Sequence, residues 1–433
     1  MRRAIAALIL LLAAALLAAC GPATDVGPAG PTLTAMGDAV LPSDTPASAS
    51  ATPTLASATP LPVFDTPPPP SDTPLPASAT PEPMAGAAAC QGRITFIRRD
   101  GGEVGIYAIE ADGSGLTEVV GDPGNVYSLS VSPDGTHIAY VAQKDDKYGV
   151  FVASGGQARR LALDGSHADP AWSPDGERFL LVTTIQGLRT ELYAIDPGGG
   201  EPQQLTDSAL QKTGPAWSPD GDWIVFTMLD AYNQGEVWVM PAPPGTGEAV
   251  NLTQHPAHDC CAVWSPDGQR LAFLSSRSGE GERPSGSLVQ TVYGATAPRP
   301  LTTVVPGAPQ DIYVMARDGS GLRNLTSDQG HERDLAWSPD GRWLAYVSDR
   351  DGGQEIYVIE VDGGDRMRLT DDEWRDLSPV WSPDSRCLAF VSSRDSGYSI
   401  YLLTVPREAG AAPGEAWKLV DGGTSQGGLG WVP

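Results

Sequence analysis

The fold is decided by the stretch Trp337-Ser-Pro-Asp-Gly341, which is followed by the apolar run Trp343–Val347. Pro has the φ angle that the second position of a type I turn needs, Asp suits the third position, and Gly closes the turn without the steric cost of a Cβ. Apolar residues approach this turn and an apolar run leaves it. The stretch therefore predicts a β-hairpin.

The turn is repeated along the chain. Further copies begin at Ser132, Ser173, Ser218, Ser265 and, with Ser385 in place of the Gly, Ser382. Successive Ser residues are 41, 45, 47, 73 and 44 residues apart. A period in this range, made of short strands, is typical of a β-propeller with one four-stranded blade per repeat. We interpret the long step as one repeat with roughly 30 additional residues, because only one second-half pattern follows it.

The second half of each repeat is equally regular. Third strands are predicted at Glu191–Asp196, Glu236–Met240, Asp311–Met315, Glu355–Ile359 and Ser399–Leu403. A Gly-rich turn and a short fourth strand such as Asn324–Thr326 follow each of them. These runs are rich in β-branched and aromatic residues, and no convincing amphipathic helix follows residue 90. The sequence therefore predicts an all-β fold.

The folded part begins near Cys90, in the middle of a repeat. Arg93–Ile97 aligns with the second strand Arg270–Leu274, and no first strand precedes it. At the C-terminus, Trp431 and Pro433 match the Trp and Pro of the repeated turn. We therefore predict that the C-terminal strand completes the first blade and closes a seven-bladed propeller, with six blades as the alternative. The repeated Trp residues are interpreted as packing between blades and not as a binding surface.

The first 89 residues predict export and anchoring. Arg2 and Arg3 precede an apolar run that ends in Leu17-Ala-Ala-Cys20, which resembles the bacterial lipobox. The resemblance implies a lipoprotein signal peptide at 1–19 and acylation of the Cys20 thiol; the alternative is an ordinary signal peptide. Residues 20–89 are dominated by Pro, Thr, Ala and Ser, and predict a disordered tether. The propeller, 90–433, would then lie outside the cytoplasm, attached to a bacterial membrane through the lipid alone.

A family resemblance extends over residues 90–433. The repeated Trp-Ser-Pro-Asp-Gly turn, the Asp318–Thr326 segment and the Ile-Tyr strands resemble the β-propeller repeats of TolB, a periplasmic protein. Similar repeats occur in the propeller domains of prolyl-oligopeptidase-type peptidases. The tether occupies the place of TolB's N-terminal α/β domain, and TolB has six blades. The resemblance therefore implies the fold, while propellers with such repeats serve binding, scaffolding and catalysis.

The candidate site lies in the loops that enter the first strands. These loops carry His167, Asp169, His258, Asp259, His331, Asp334, Trp374 and Asp376. In a propeller such loops surround one mouth of the central channel, so these side chains are expected to converge there. Imidazoles and carboxylates at one mouth suit a cationic peptide group or a divalent metal; some propeller lyases are similar in holding a metal with channel His residues. The alternative is that the side chains only hydrogen-bond the turns that launch each strand.

Two function classes follow. The favoured one is a monomeric binding or scaffold propeller that engages an envelope protein, a peptide or a cell-envelope ligand at this mouth. The alternative is a metal-dependent enzyme acting on carbohydrate or peptide; no cofactor is predicted otherwise. Gly423–Gly427 matches a Gly-x-Ser-x-Gly elbow, but only six residues follow and none is acidic or His. The net charge of −25 argues against nucleic acid and anionic lipid as partners.

The long repeat contains an insertion between the second and third strands of its blade. The extra segment 276–310 is expected to form a lid or a partner contact over the mouth, because long loops are usually functional or disordered.

Cys387 replaces an apolar residue of other repeats and is interpreted as a buried core thiol. Cys260 and Cys261 are expected to pair with each other or with Cys90.

Overall fold

A computed structural model describes most of residues 90–433. The residues within that range that it leaves out are 101–102, 146, 162–165, 187–188, 244, 246, 278–308, 328–329, 396, 408–411 and 424–427. The predicted signal peptide and tether, and nearly all of the insertion, lie outside the described residues. Within these residues every regular element is a strand, as the all-β prediction requires. In the same part of the chain, no helix has the length and apolar character needed to cross a membrane.

The strands form seven four-stranded sheets, which are the blades. Blades 1 to 4 contain β1 (Arg93–Asp100), β2 (Glu103–Glu110), β3 (Thr117–Val120), β4 (Asn125–Val131), β5 (His137–Lys144), β6 (Lys147–Ser154), β7 (Gln157–Arg160), β8 (Ser166–Trp172), β9 (Phe179–Gln186), β10 (Arg189–Ile195), β11 (Gln203–Gln204), β12 (Gln211–Trp217), β13 (Trp223–Leu229), β14 (Gly235–Pro241) and β15 (Val250–Asn251). Blades 5 to 7 contain β16 (Asp259–Trp264), β17 (Arg270–Ser275), β18 (Asp311–Ala316), β19 (Arg323–Asn324), β20 (Glu332–Trp337), β21 (Trp343–Ser348), β22 (Glu355–Glu360), β23 (Arg366–Arg368), β24 (Asp376–Trp381), β25 (Cys387–Ser392), β26 (Tyr398–Thr404) and β27 (Trp417–Gly423). The last strand, β28 (Leu429–Val432), belongs to blade 1.

The C-terminal strand closes the ring. In blade 1 the strand order is β28-β1-β2-β3, and β28 runs antiparallel to β1 with Trp431 opposite Ile94 and Leu429 opposite Phe96. The pairing covers an edge of β1 that would otherwise expose unpaired backbone groups. The prediction of seven blades closed by the C-terminal strand is confirmed, and the six-bladed alternative is wrong.

The repeated turn is held by its own side chains. Ser338 Oγ donates to Asp340 Oδ1 at 2.6 Å, and the Trp343 N–H donates back to Ser338 Oγ at 2.9 Å. Gly341 has a φ of 71°, which is unfavourable for most other residues. The equivalent bond from Ser132 contributes most to lowering the pKa of Asp134 to about 2. These bonds span only a few residues, and the hairpin is therefore encoded locally.

The repeated Trp residues connect neighbouring blades, as expected, through hydrogen bonds. The indole Nε1 of Trp381 donates to the backbone oxygen of Ala336 in the preceding blade at 3.0 Å, and Trp172 donates to Ser130 at 2.9 Å. Trp217, Trp264 and Trp337 make the same bond between their blades. Seven hydrophobic clusters of the described residues each lie between two adjacent blades, and the core is thus a ring of interfaces.

A disulfide joins blade 1 to blade 7 and corrects the cysteine predictions. Cys90 is bonded to Cys387, with the Cα atoms 5.8 Å apart and a sequence separation of 297. Cys387 is buried as predicted, but it is not a free thiol, and Cys90 does not pair with Cys260 or Cys261. Ring closure brings the start of the first blade beside the last, a proximity that spacing along the chain does not reveal.

Candidate binding site at the channel mouth

The first strand of each blade lines the central channel. We call β4, β8, β12, β16, β20, β24 and β28 the inner strands, because each lies at one edge of its sheet and contacts the inner strands of both neighbouring blades. The loops that enter the inner strands lie at the end of the propeller opposite the Trp-Ser-Pro-Asp-Gly turns. We call this end the mouth end.

Most inner strands carry a β-bulge close to the mouth end. In blades 3 to 7 the register shifts by an extra residue, and the bulged residue has a positive φ. The five bulged residues are Asp169, Gly214, Cys261, Asp334 and Ser378, with φ between 52° and 62°. A bulge interrupts the alternation of side chains and re-aims the residue that it contains. These five residues consequently sit at one level of the channel wall.

Two of the predicted site residues, Asp169 and Asp334, are bulged residues. Asp334 Oδ2 accepts the backbone N–H of Ser378, the bulged residue of the next blade, at 3.0 Å. Asp169 Oδ2 accepts the N–H of Gly214 in the same way at 3.3 Å. Burial raises the pKa of each carboxyl above the ordinary value of an Asp side chain. Both side chains reach water, but the surrounding channel wall replaces most of the bulk solvent and disfavours their charged forms.

Three predicted residues lie between the blades instead of in the channel. His167, Asp259 and Asp376 occupy the position two residues before the bulge and are almost completely buried. His167 Nδ1 is 3.1 Å from Thr183 Oγ1. Asp259 accepts a hydrogen bond from Arg277 at 2.5 Å, and Asp376 accepts one from Arg394 at 2.9 Å. Burial raises the pKa of both carboxyls, and the nearby guanidinium opposes the rise.

Sequence reasoning missed two further members of this buried position, Lys212 and Glu332. Lys212 Nζ is 2.7 Å from Glu191 Oε2, and neither side chain is exposed to water. Burial alone would raise the pKa of Glu191, but hydrogen bonds from Lys212, Thr206 and Arg189 outweigh it and hold the pKa below its ordinary value. The five buried polar groups therefore belong to the interfaces between blades, where each needs a partner.

A repeated contact between the third and fourth strands was also missed. An acid at or near the start of the third strand accepts a hydrogen bond from the Thr after the fourth strand, as Glu355 does from Thr370 at 2.6 Å. The same Thr hydroxyl accepts the backbone N–H of Ile356 at 2.9 Å. Glu191, Glu236 and Asp311 have equivalent Thr partners, Thr206, Thr253 and Thr326. The acid and the Thr are 15 residues apart in three blades and 17 in the fourth, and this spacing is the signal that could have predicted the bond.

The remaining predicted residues, His258, His331 and Trp374, lie in the loops at the rim of the mouth end. His258 Nδ1 accepts the N–H of Gly235 at 2.9 Å, and burial lowers the pKa of this imidazole. His331 Nδ1 is 3.4 Å from Asp349 Oδ2. Trp374 is 40% exposed, which makes it an aromatic surface open to a ligand. The eight predicted residues thus divide into two in the channel wall, three between blades and three at the rim.

One group of carboxylates has the proximity that a metal site requires. Among the described residues, Glu355, Asp372 and Asp376 offer ligand oxygens within 4.8 Å of one another, and none of the three predicted His residues joins such a group. Arg394 Nη2 lies 2.7 Å from Asp372 Oδ2 and 2.9 Å from Asp376 Oδ2. A guanidinium therefore already supplies positive charge to two of the three carboxylates.

Comparisons with known proteins agree with this architecture. One similar protein is the uncharacterized peptidase YuxL from Bacillus subtilis (strain 168). It is 27% identical to this chain over 227 residues, which are 50% of this chain and 28% of YuxL. A protein TolB homolog from Chlorobium chlorochromatii (strain CaD3) is 29% identical over 119 residues, 27% of each chain. Both matches span less than a third of the relatives' own length.

Solved structures show the same fold at low sequence identity. Puromycin hydrolase matches with a TM-score of 0.58 and 18% identity, over 79% of this chain and 55% of the other. An oligogalacturonate lyase in complex with manganese matches with a TM-score of 0.55 and 16% identity, over 73% and 86%. The family model described as the TolB beta propeller domain matches residues 84–240 and 301–410, more than half of the sequence. The chain belongs to the TolB β-propeller domain family.

Proposed function

We propose that this protein is a lipid-anchored, extracytoplasmic propeller that binds a protein or peptide of the cell envelope at its mouth end. The observation that carries the proposal is the pair of carboxylates, Asp169 and Asp334, that β-bulges turn into the channel wall. With the exposed ring of Trp374 at the rim, they offer a ligand both negative charge and an aromatic contact. We call Asp169, Asp334 and Trp374 the mouth set.

The chemistry of the mouth set favours a cationic ligand. Burial makes the ionised forms of Asp169 and Asp334 less favourable than they are in water, so a cation that enters the channel relieves this cost. Arg and Lys side chains or an N-terminal amine of a peptide supply such a charge. The net charge of −25 steers positively charged partners toward the protein. A basic segment of an envelope protein would supply this positive charge.

The cellular location is part of the proposal. The lipobox-like Leu17–Cys20 supports cleavage after residue 19, acylation of Cys20 and a tether over 20–89 that carries the propeller. The disulfide Cys90–Cys387 supports an oxidising compartment. A relative from Alcanivorax borkumensis, 29% identical over 98 residues that make up 23% of its length, is named Tol-Pal system protein TolB, which supports a role in a multi-protein system. Membrane fractionation of wild type and Cys20→Ser tests the anchor, with release from the membrane as the expected result.

The binding proposal is tested by affinity capture from an envelope extract. Full-length tagged protein is compared with an Asp169→Asn, Asp334→Asn double variant, in which each amide oxygen still accepts the N–H of the next blade. Asp222→Asn, an exposed acid beside the turn at the opposite end, is the matched control. We expect wild type and the control to retain the same basic partner and the double variant to lose it. Equal capture by all three proteins would contradict the proposal.

The alternative, a metal-dependent enzyme acting on carbohydrate or peptide, is supported by the proximity of Glu355, Asp372 and Asp376. Elemental analysis of the purified full-length protein distinguishes it from the binding proposal. Stoichiometric divalent metal that is lost in Asp372→Asn would favour the enzyme. A partner captured by metal-free protein would favour binding. Asp371→Asn is the control, because Asp371 is exposed and pairs with Arg368.

A further inference from the structure

Two adjacent cysteines lie in the channel wall of blade 5. Cys260 and Cys261 belong to the inner strand β16, and their Sγ atoms are 2.7 Å apart. Neighbouring side chains of a regular strand point to opposite faces, which would keep the two sulfurs apart. Cys261 is the bulged residue, with a φ of 62°, and the bulge brings its sulfur to that of Cys260.

The distance between the two sulfurs suits a covalent bond better than a shared metal ion. A zinc ion holds thiolates at about 2.3 Å, which places two tetrahedral ligand sulfurs roughly 3.8 Å apart. A disulfide brings its sulfurs to about 2.05 Å. The observed 2.7 Å is already well inside the metal value. Because Cys90 and Cys387 are bonded to each other, they offer no alternative partner to this pair.

The two thiols differ in access. Cys261 is exposed, whereas Cys260 is half-buried against the core between blades 5 and 6. The hydrogen bond with Cys261, together with burial, raises the pKa of the Cys260 thiol well above its ordinary value. The thiolate is the nucleophile in thiol–disulfide exchange. A reagent in the channel therefore meets Cys261 first.

We propose that Cys260 and Cys261 are a redox-active pair that closes into a vicinal disulfide by exchange with a small disulfide oxidant. The Cys261 thiolate attacks one sulfur of the oxidant, forms a mixed disulfide and releases one thiolate. Cys260 then gives its proton to water, attacks Cys261 Sγ and expels the second thiolate. Two protein thiols are oxidised and one oxidant disulfide is reduced to two thiols.

The consequence is a reversible change in the channel wall. The reduced pair presents an exposed thiol at the level of Asp169 and Asp334, and the oxidised pair presents a compact disulfide ring. Cys90–Cys387, which is buried between blades 1 and 7, is by contrast protected from reductants in the channel. The propeller thus holds one structural and one exchangeable thiol pair.

The test is differential thiol labelling of the full-length protein in its folded state. The protein is incubated with oxidised or reduced glutathione, free thiols are blocked, and peptides are analysed by mass spectrometry. After oxidised glutathione we expect the peptide with both cysteines to be lighter by two hydrogens and unlabelled. After reduced glutathione we expect it to carry two labels, while Cys90–Cys387 stays intact in both samples.

Single substitutions provide the matched controls. In Cys260→Ser we expect Cys261 to carry a stable glutathione adduct, because no neighbouring thiol resolves it. In Cys261→Ser we expect Cys260 to stay largely unmodified. Two labels on the wild-type peptide after oxidised glutathione, a separate glutathione on each cysteine, or a disulfide between two molecules would each overturn the proposal. The wild-type measurement alone decides it if a variant does not fold.

Discussion

Removal of the Cys90–Cys387 disulfide is the most informative perturbation of the fold. The bond joins the two ends of the ring across 297 residues, so in the unfolded chain it closes a very long loop. On the chain-entropy model a loop of about 300 residues corresponds to about 6 kcal/mol, and measured losses of native disulfides are about 2–5 kcal/mol. We therefore expect Cys90→Ala with Cys387→Ala to lower the free energy of unfolding by about 4 kcal/mol. Alanine avoids burying a hydroxyl group at position 387, which is inaccessible to water.

The expected shift in melting temperature follows from the size of the domain. At about 2.1 cal/mol/K per residue, a domain of about 340 residues has an unfolding entropy of about 0.7 kcal/mol/K. A loss of about 4 kcal/mol then lowers Tm by about 6 °C. The ring should remain closed at room temperature, because the pairing of β28 with β1 does not involve the disulfide.

The assay is differential scanning calorimetry of the oxidised protein, the reduced protein and the double variant. Reduced wild type and the variant should melt at similar temperatures, both below the oxidised protein. Cys260→Ser with Cys261→Ser is the control, and its Tm should fall by much less than 6 °C because Cys261 is exposed and Cys260 only half-buried. An unchanged Tm in the double Ala variant would refute the reasoning. So would a variant that cannot fold, since closure by β28 would then be insufficient.

Single substitutions at the interfaces between blades and in the channel wall test other parts of the structure. Lys212→Met should lower the free energy of unfolding by about 3 kcal/mol, because it leaves the buried Glu191 carboxylate without its ammonium partner; chemical denaturation measures the loss, and adding Glu191→Gln should recover part of it. Asp334→Asn should stabilise the protein at neutral pH, since the folded-state pKa of Asp334 is raised and its ionised form costs stability. That gain should vanish as the pH falls below the ordinary pKa of an Asp carboxyl, because the group is then protonated in the folded and the unfolded state. Chemical denaturation at neutral and at acidic pH measures the gain, and an equal gain at the two pH values would contradict the raised pKa of Asp334. Trp381→Phe should cost about 1 kcal/mol through the lost bond to Ala336, measured by urea denaturation; no change in midpoint would show that the bond contributes nothing net.

Much of the architecture follows from short-range patterns. The Trp-Ser-Pro-Asp-Gly turn is held by bonds such as Ser338–Asp340 and Trp343–Ser338, which join residues at most five apart. The repeat spacing and the incomplete first repeat then predict the closing strand, because a ring leaves only one place for the match at Trp431. Sequence reasoning could therefore reach the number of blades without any tertiary information.

The candidate site was less predictable. All eight site residues are expected from the sequence to converge at one mouth, yet Asp259 in β16 lies buried between blades, while Asp334 in β20, the inner strand of the next blade, reaches the channel. Asp259 lies two residues before the bulged residue of its strand, whereas Asp334 is itself the bulged residue. A bulge inserts one residue and reverses the alternation of faces, and a single residue of register decides which side chains are buried.

The sequence by itself determined the repeated hairpin, the blade count and the closure of the ring, because these depend on turn chemistry and strand periodicity within a few dozen residues. Only the tertiary structure decided the partner of Cys387, the burial of Lys212 against Glu191 and the half-buried position of Asp169 beside Gly214. Each of these depends on groups from different blades. The distances between such groups are set by how neighbouring sheets pack around the ring, and spacing along the chain does not encode that packing in a form that can be read directly.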